Sequence, residues 1–136
     1  MSATVPPALQ PGARLAFRKT LTVAEQAMFT GISGNLAPLH VDAARARAAG
    51  APDMLAFELV VGALVTTCLN RLAGPGHRIA ALSLDFAAAV PVGASIEASA
   101  EFLGEADGAL AFRVAASQDG AGAVMQGSAT LVPVAF

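Results

Sequence analysis

The segment SGNLAPLH, residues 33–40, holds the side chains of this sequence best suited to acid–base chemistry. It contains Asn35 and His40, and His40 is one of only two histidines in 136 residues. An imidazole exchanges protons near neutral pH, whereas the amide of Asn35 accepts no proton there and can only orient a water molecule by hydrogen bonding. The segment therefore predicts either a site in which His40 transfers protons, or a turn in which Asn35 is structural and His40 packs beside a helix cap.

The residues on either side predict the helices that position this segment. Thr22 is the predicted N-cap of a first helix, because Glu25 completes a capping box with it. Residues 31–40 are rich in turn formers, and Asp42 then suits the N-cap of a short helix. Residues 55–73, LAFELVVGALVTTCLNRLA, are apolar nearly all round and long for a strand, so they predict a helix that is buried on most sides.

A period of two predicts strands elsewhere in the chain. GARLAFRKT, residues 12–20, alternates well enough for a first strand. Four more alternating stretches follow the long helix, around residues 82–86, 96–102, 110–114 and 125–131, and turn sequences separate them. The sum predicts a single α+β domain over residues 1–136, with a long helix packed on a five-stranded antiparallel sheet.

The composition narrows the classes of function. Hydrophobic residues make up 55% of the chain and charged residues only 13%. So short a chain cannot bury that much apolar surface by itself, and we expect a subunit interface or an apolar ligand groove. The net charge is −2, with no run of Lys or Arg and no Trp or Tyr to stack on bases, which argues against nucleic-acid binding.

Other features predict no further site. The uncharged stretch at residues 59–70 is shorter than the roughly 20 residues that cross a bilayer. The N-terminal MSATVPPALQPG lacks the segments of an export signal, so we expect a soluble, cytoplasmic protein. Cys68 is the only cysteine and is expected to be buried, and without a thiolate partner for His40 and His77 no metal site is expected. His77 is expected to be exposed, and the glycines form no phosphate-binding loop, so no cofactor is expected.

The order of these segments, with SGNLAPLHVD ahead of the long helix, resembles the hotdog fold, and within it the MaoC-like, (R)-specific enoyl-thioester hydratase and dehydratase family. The signature of that family is similar to S-G-D-x-N-P-x-H-x-D, followed further along by V-x-H-G-M at the start of the central helix. Five residues match the first part, namely Ser33, Gly34, Pro38, His40 and Asp42. Counted on without a gap, FEL at residues 57–59 falls on H-G-M. LAGPG, FAAAVPVGASI and VMQGSATLV resemble later segments of the family, so the resemblance covers nearly the whole chain.

The resemblance implies a dimer whose loop Asp and His act on a water molecule and on the C2 proton of an acyl thioester of coenzyme A or acyl carrier protein. A backbone N–H of the Gly at the helix start helps to polarise the thioester carbonyl. In this chain Asn35 occupies the Asp position, Ala37 the second Asn position and Glu58 the Gly position. The catalytic candidates are therefore His40, Asn35 and Glu58, and the candidates for substrate binding are Gly34, Pro38, Phe57 and Leu59.

Glu58 has two interpretations. It can lie in the first turn of the long helix, where the helix dipole favours a carboxylate and solvent reaches it. Alternatively, it faces the same water molecule as the loop and replaces the missing base, because the loop and the helix start face one another in the fold that the sequence resembles. The implied activity is reversible hydration of a trans-2-enoyl thioester or dehydration of a 3-hydroxyacyl thioester. The alternatives are a thioesterase that uses Glu58, and a non-catalytic acyl-binding or partner subunit of a dehydratase.

Overall fold

Five strands and four helices are present in the computed structural model, which describes residues 9–136. In chain order they are β1 (Arg14–Thr20), α1 (Val23–Ser33), α2 (Pro38–Val41), α3 (Ala43–Ala48), α4 (Glu58–Ala73), β2 (His77–Phe86), β3 (Ser95–Ala106), β4 (Ala109–Gln118) and β5 (Gly122–Pro133). Neighbouring strands are all antiparallel, in the order β1-β3-β4-β5-β2. The predicted α+β architecture is confirmed. Most of the N-terminal segment, in which no export signal was expected, lies outside the described residues.

The core lies between α4 and one face of the sheet. The predicted alternation is confirmed, because the inward-facing residues of the three inner strands are buried, among them Ile96, Phe112 and Leu131. Cys68 of α4 is buried as expected. None of the helices in residues 9–136 is long and apolar enough to cross a membrane.

The long helix starts later than its sequence pattern predicts. It begins at Glu58 rather than at residue 55. The backbone N–H of Leu55 donates to the carbonyl of Leu39, and that of Ala56 donates to the carbonyl of Val90. These bonds, together with the isolated antiparallel bridge between Leu55 and Pro91, hold residues 55 and 56 extended, so the helix begins only after them. Glu58 is therefore the first residue of α4.

Residues 31–40 contain more helix than their turn-forming composition predicts. α1 continues to Ser33 and ends at Gly34, which takes the left-handed conformation (φ 72°) that favours glycine. Pro38 then begins the short helix α2, where its fixed φ suits the first helical position. The expectation that His77 is exposed is wrong, because His77 is half-buried at the start of β2.

Two exposed apolar surfaces stand out in the described part of the chain. One is the outer edge of β2, which among the five described strands pairs with β5 alone and whose central residues, 79–84, carry no charge. The other surrounds α1, α2 and the start of α4, and its largest exposed side chains are Val23, Met28, Ile32, Leu36 and Leu59. Surfaces of this kind are typical of subunit interfaces and ligand grooves.

Candidate active site

His40 lies on α2, where its side chain is only 13% exposed. Its Nδ1 is 2.7 Å from the carbonyl oxygen of Leu55. Because a carbonyl can only accept, Nδ1 carries the proton, and in the neutral ring the lone pair is on Nε2. The imidazole also stacks on the ring of Phe57, with centroids 4.4 Å apart and the planes inclined by 23°. The ring is thus held on one edge and one face, and Nε2 is the atom available for proton transfer.

Glu58 faces that atom from the first turn of α4. Its Oε2 is 3.8 Å from Nε2 of His40, and 59% of its side chain is exposed. The distance is too long for a direct hydrogen bond but suits a small molecule that bonds to both groups. The position in the first turn also favours the carboxylate through the helix dipole. Glu58 thus lies in the solvent-exposed first turn, as its first interpretation has it. It also faces His40, as its interpretation as a base requires.

Asn35 has a structural role in its turn. Its Oδ1 accepts a hydrogen bond from the backbone N–H of Ala37 at 3.0 Å, and its own N–H donates to Ser33 Oγ. This is the local pattern by which an Asn side chain closes a turn. Asn35 is exposed and no hydrogen bond ties it to the His40 side chain, so the structure brings together His40 and Glu58 but leaves the third catalytic candidate on the turn that leads to them.

The four candidates for substrate binding occupy different positions. Gly34 caps α1, and Pro38 begins α2, both on the exposed loop. Phe57 is only 2% exposed and supports the His40 ring, so its contacts are with the protein interior. Leu59 is 58% exposed, next to Glu58. Of the four, Leu59 is the large apolar side chain that is open to a ligand.

Gln26 is a site residue that the sequence analysis missed. It is 4% exposed, the one buried polar side chain among residues 9–136, and it hydrogen-bonds to the backbone of residues 40, 55 and 57. A signal was present in the sequence, because Gln26 stands three residues before Phe29 and so shares the face of α1 that packs inward.

Two apolar clefts adjoin the pair. A cleft of about 290 Å³ on the His40 side is lined by Val23, Gln26, Leu36, Val41 and Met54. A second, of about 190 Å³ on the Glu58 side, is lined by Leu55, Val61, Phe86, Val90 and Val124. Met54 is half-buried in the wall of the first cleft, whereas Met125 is buried in the core. No group of three or more metal-binding side chains occurs within the described part of the chain.

Comparison with known proteins gives the following. Residues 8–121 match the family described as MaoC like domain. A comparison with curated proteins gives no match. The structure is similar to an (R)-hydratase from A. caviae involved in PHA biosynthesis, with a TM-score of 0.88 and 23% identity over 95% of this chain and 100% of that chain.

Two further solved structures share the fold. One is the HadBC (3R-hydroxyacyl-ACP dehydratase) complex from Mycobacterium tuberculosis, with a TM-score of 0.77 and 15% identity over 94% of this chain and 100% of that chain. The other is a mutant of a fluoroacetyl-CoA-specific thioesterase, with a TM-score of 0.68 and 16% identity over 95% of this chain and 90% of that chain. At these identities the structural likeness concerns the fold.

Proposed function

Because the chain belongs to the MaoC-like dehydratase family and has the hotdog fold, we propose that it catalyses the reversible hydration of a trans-2-enoyl thioester to a 3-hydroxyacyl thioester. The observation that carries the proposal is the approach of His40 Nε2 to Glu58 Oε2, at 3.8 Å, between two apolar clefts. The clefts suit an acyl chain, and the carrier is coenzyme A or an acyl carrier protein.

The reaction starts with Glu58 as the carboxylate and with one proton on Nε2 of His40. In the hydration direction the carboxylate of Glu58 takes a proton from water while the water oxygen bonds to C3 of the substrate. The protonated Nε2 of His40 gives its proton to C2, and the C2=C3 double bond becomes a single bond. The proton on Glu58 then moves to Nε2, which restores the pair. Dehydration is the reverse, with each group in the opposite role.

The start of α4 supplies a donor for the thioester carbonyl. The first N–H groups of an α-helix have no partner within the helix, and those of Glu58 and Leu59 lie at this position. An N–H here can bond to the carbonyl oxygen as negative charge develops on it during addition at C3. The side chain at residue 58 changes from the family pattern, but its backbone N–H does not depend on the side chain.

The test is the hydration of a crotonyl thioester, followed by the loss of ultraviolet absorbance of the conjugated double bond. We expect Glu58→Gln and His40→Gln each to lower kcat by about 10²–10⁴-fold, the usual contribution of a general acid or base. Glu105→Gln, which removes an exposed carboxylate of β3, and His77→Gln, which removes the other imidazole, are the matched controls and should keep the activity. Wild-type activity that survives both Glu58→Gln and His40→Gln would refute the assignment.

The second candidate is thioester hydrolysis, which the exposed carboxylate of Glu58 favours, since a carboxylate facing a cleft can activate water against the thioester carbonyl. The same assay distinguishes the two, because hydrolysis releases a free thiol and hydration does not. Thiol release that Glu58→Gln abolishes would replace our proposal by this one. Binding of an acyl thioester with neither reaction would identify a non-catalytic subunit.

A further inference from the structure

Gln26 bonds to three backbone groups, one of His40 itself and two of residues that contact the His40 ring. Its Nε2 donates to the carbonyl of His40 itself at 2.8 Å and to the carbonyl of Leu55 at 3.0 Å. Its Oε1 accepts from the N–H of Phe57 at 3.1 Å. The orientation of the amide is unambiguous, because carbonyls require a donor and an N–H requires an acceptor.

The carbonyl of Leu55 is the point at which these contacts converge. It accepts from Gln26 Nε2 and also from His40 Nδ1, at 2.7 Å, so both of its lone pairs have partners. The bond to Phe57 holds the residue on whose ring the imidazole stacks. One side chain on α1 therefore fixes the backbone of His40, the acceptor for its Nδ1 and the support beneath its ring.

We propose that Gln26 is a positioning residue that keeps the fixed proton of His40 on Nδ1 and so leaves Nε2, the atom that gains and gives up the second proton, facing Glu58. The inference rests on the proposed function for its catalytic meaning, but the tautomer itself is a property of the folded protein. Without the amide, the Leu55 carbonyl loses the second donor that orients it, and the imidazole gains freedom to rotate and to carry its proton on Nε2. Misplacement of a catalytic group on this scale costs about 10- to 100-fold in rate.

The chain is well suited to a direct measurement, because it contains only two histidines. Nitrogen-15 NMR of protein labelled at histidine distinguishes a protonated from an unprotonated ring nitrogen. The spectra are recorded at a pH high enough for both imidazoles to be neutral. His77→Gln assigns the remaining signals to His40. We expect the wild type to show a protonated Nδ1 and an unprotonated Nε2 at His40. The opposite tautomer in the wild type would overturn the proposal whether or not any variant folds.

Gln26→Met keeps the length of the side chain and removes all three hydrogen bonds. We expect the His40 signals to move to values averaged between tautomers and kcat to fall about 10- to 100-fold with less effect on KM. Gln26→Glu, which keeps an acceptor for the Phe57 N–H but loses the two donors, serves if the first variant does not fold, and should shift the tautomer in the same direction. Gln126→Met, on the exposed face of β5, is the control and should change neither the His40 signals nor kcat.

The outcomes separate this proposal from the proposed function. A folded Gln26 variant with an unchanged tautomer and unchanged kcat would leave the amide a purely structural residue. A wild type that holds the Nδ1–H tautomer through Gln26 but hydrates no enoyl thioester would overturn the proposed reaction and leave the positioning role in place.

Discussion

At the scale of single residues, the chain differs at two positions from the family pattern that it resembles. Asn35 stands where the pattern has Asp, and Glu58 stands where it has Gly. The structure puts Glu58 Oε2 within 3.8 Å of His40 Nε2, whereas the side chain of Asn35 closes a turn with Ala37. If Glu58 supplies the base, a carboxylate returned to position 35 should be able to replace it.

A rescue experiment tests this exchange. We expect Asn35→Asp to restore part of the hydration activity that Glu58→Gln loses, because Asp keeps an oxygen for the Ala37 N–H and adds a proton acceptor. The rate of crotonyl thioester hydration is measured for the single and double variants. Asn35→Ala in the Glu58→Gln background is the control and should restore nothing. If Asp does no better than Ala, position 35 contributes to the turn alone.

His40 and Glu58 could be selected from the sequence because each is a rare ionisable residue in an apolar setting. The resemblance matched His40 to the pattern and showed Glu58 as a departure from it. The distance between the two side chains could not be predicted, because it depends on α4 starting at Glu58. Backbone hydrogen bonds at Leu55 and Ala56 hold the preceding residues out of the helix. Gln26 escaped notice for a similar reason. Its spacing from Phe29 indicates that it faces inward, but the three backbone groups that it bonds to come together only in the fold.

At the scale of elements, α1 holds the site from one side, and its N-terminus is firmly capped. Thr22 and Glu25 form the predicted capping box, and Glu25 also bonds to Lys19 at 2.7 Å. The Lys19 ammonium, followed by Thr22, lowers the pKa of Glu25 from its usual 4.5 to about 2. Gln26 is the next residue, so the cap and the site share one turn of helix.

The lowered pKa makes a prediction about stability and pH. A carboxylate whose pKa is lower in the folded protein stabilises it above the unfolded value, and this contribution disappears as the pH falls from about 4.5 to about 2. We expect Glu25→Gln to reduce the free energy of unfolding by about 1 kcal/mol at pH 7, and by less at pH 3. Urea unfolding at both pH values measures this, with Glu105→Gln as the control. An equal loss at both pH values would contradict the assigned cause.

Strand and helix positions followed from the sequence more closely than their ends did. The period of two identified β3, β4 and β5 because each has one face in the core, where alternation is required. The ends of α1 and α4 depend on which partners the terminal N–H and carbonyl groups find, and such partners lie elsewhere in the fold.

At the scale of the whole molecule, a second copy of the chain is the partner that we predict. The expectation came from the apolar composition, and the structure adds the uncharged open edge of β2 and the exposed side chains around the site. Open edges of this length are usually covered in native proteins, and antiparallel pairing of β2 with its copy would cover both at once. A cytoplasmic location stays a prediction.

Sedimentation of the wild type at micromolar concentration should show a dimer. We expect Leu82→Lys, in the middle of β2, to shift the protein towards monomer. The lysine of one copy would face the lysine of the other across the paired β2 strands, and the two charges would repel. Leu103→Lys is the matched control, since Leu103 on β3 is exposed to a similar extent, 43% against 39%, away from this edge. A monomeric wild type, or equal effects of the two substitutions, would exclude pairing through β2.

The place of β2 in the sheet also has a consequence during synthesis on the ribosome. Among the five strands of residues 9–136, β2 pairs with β5 alone, and β5 comes after it by more than 30 residues, so β2 emerges well before its partner. Until residues 122–133 leave the ribosome, an apolar and largely uncharged strand has both of its edges free. Nascent chains that stall in this interval are exposed to aggregation through that strand, and chaperones that bind extended apolar segments have a defined target in residues 79–84.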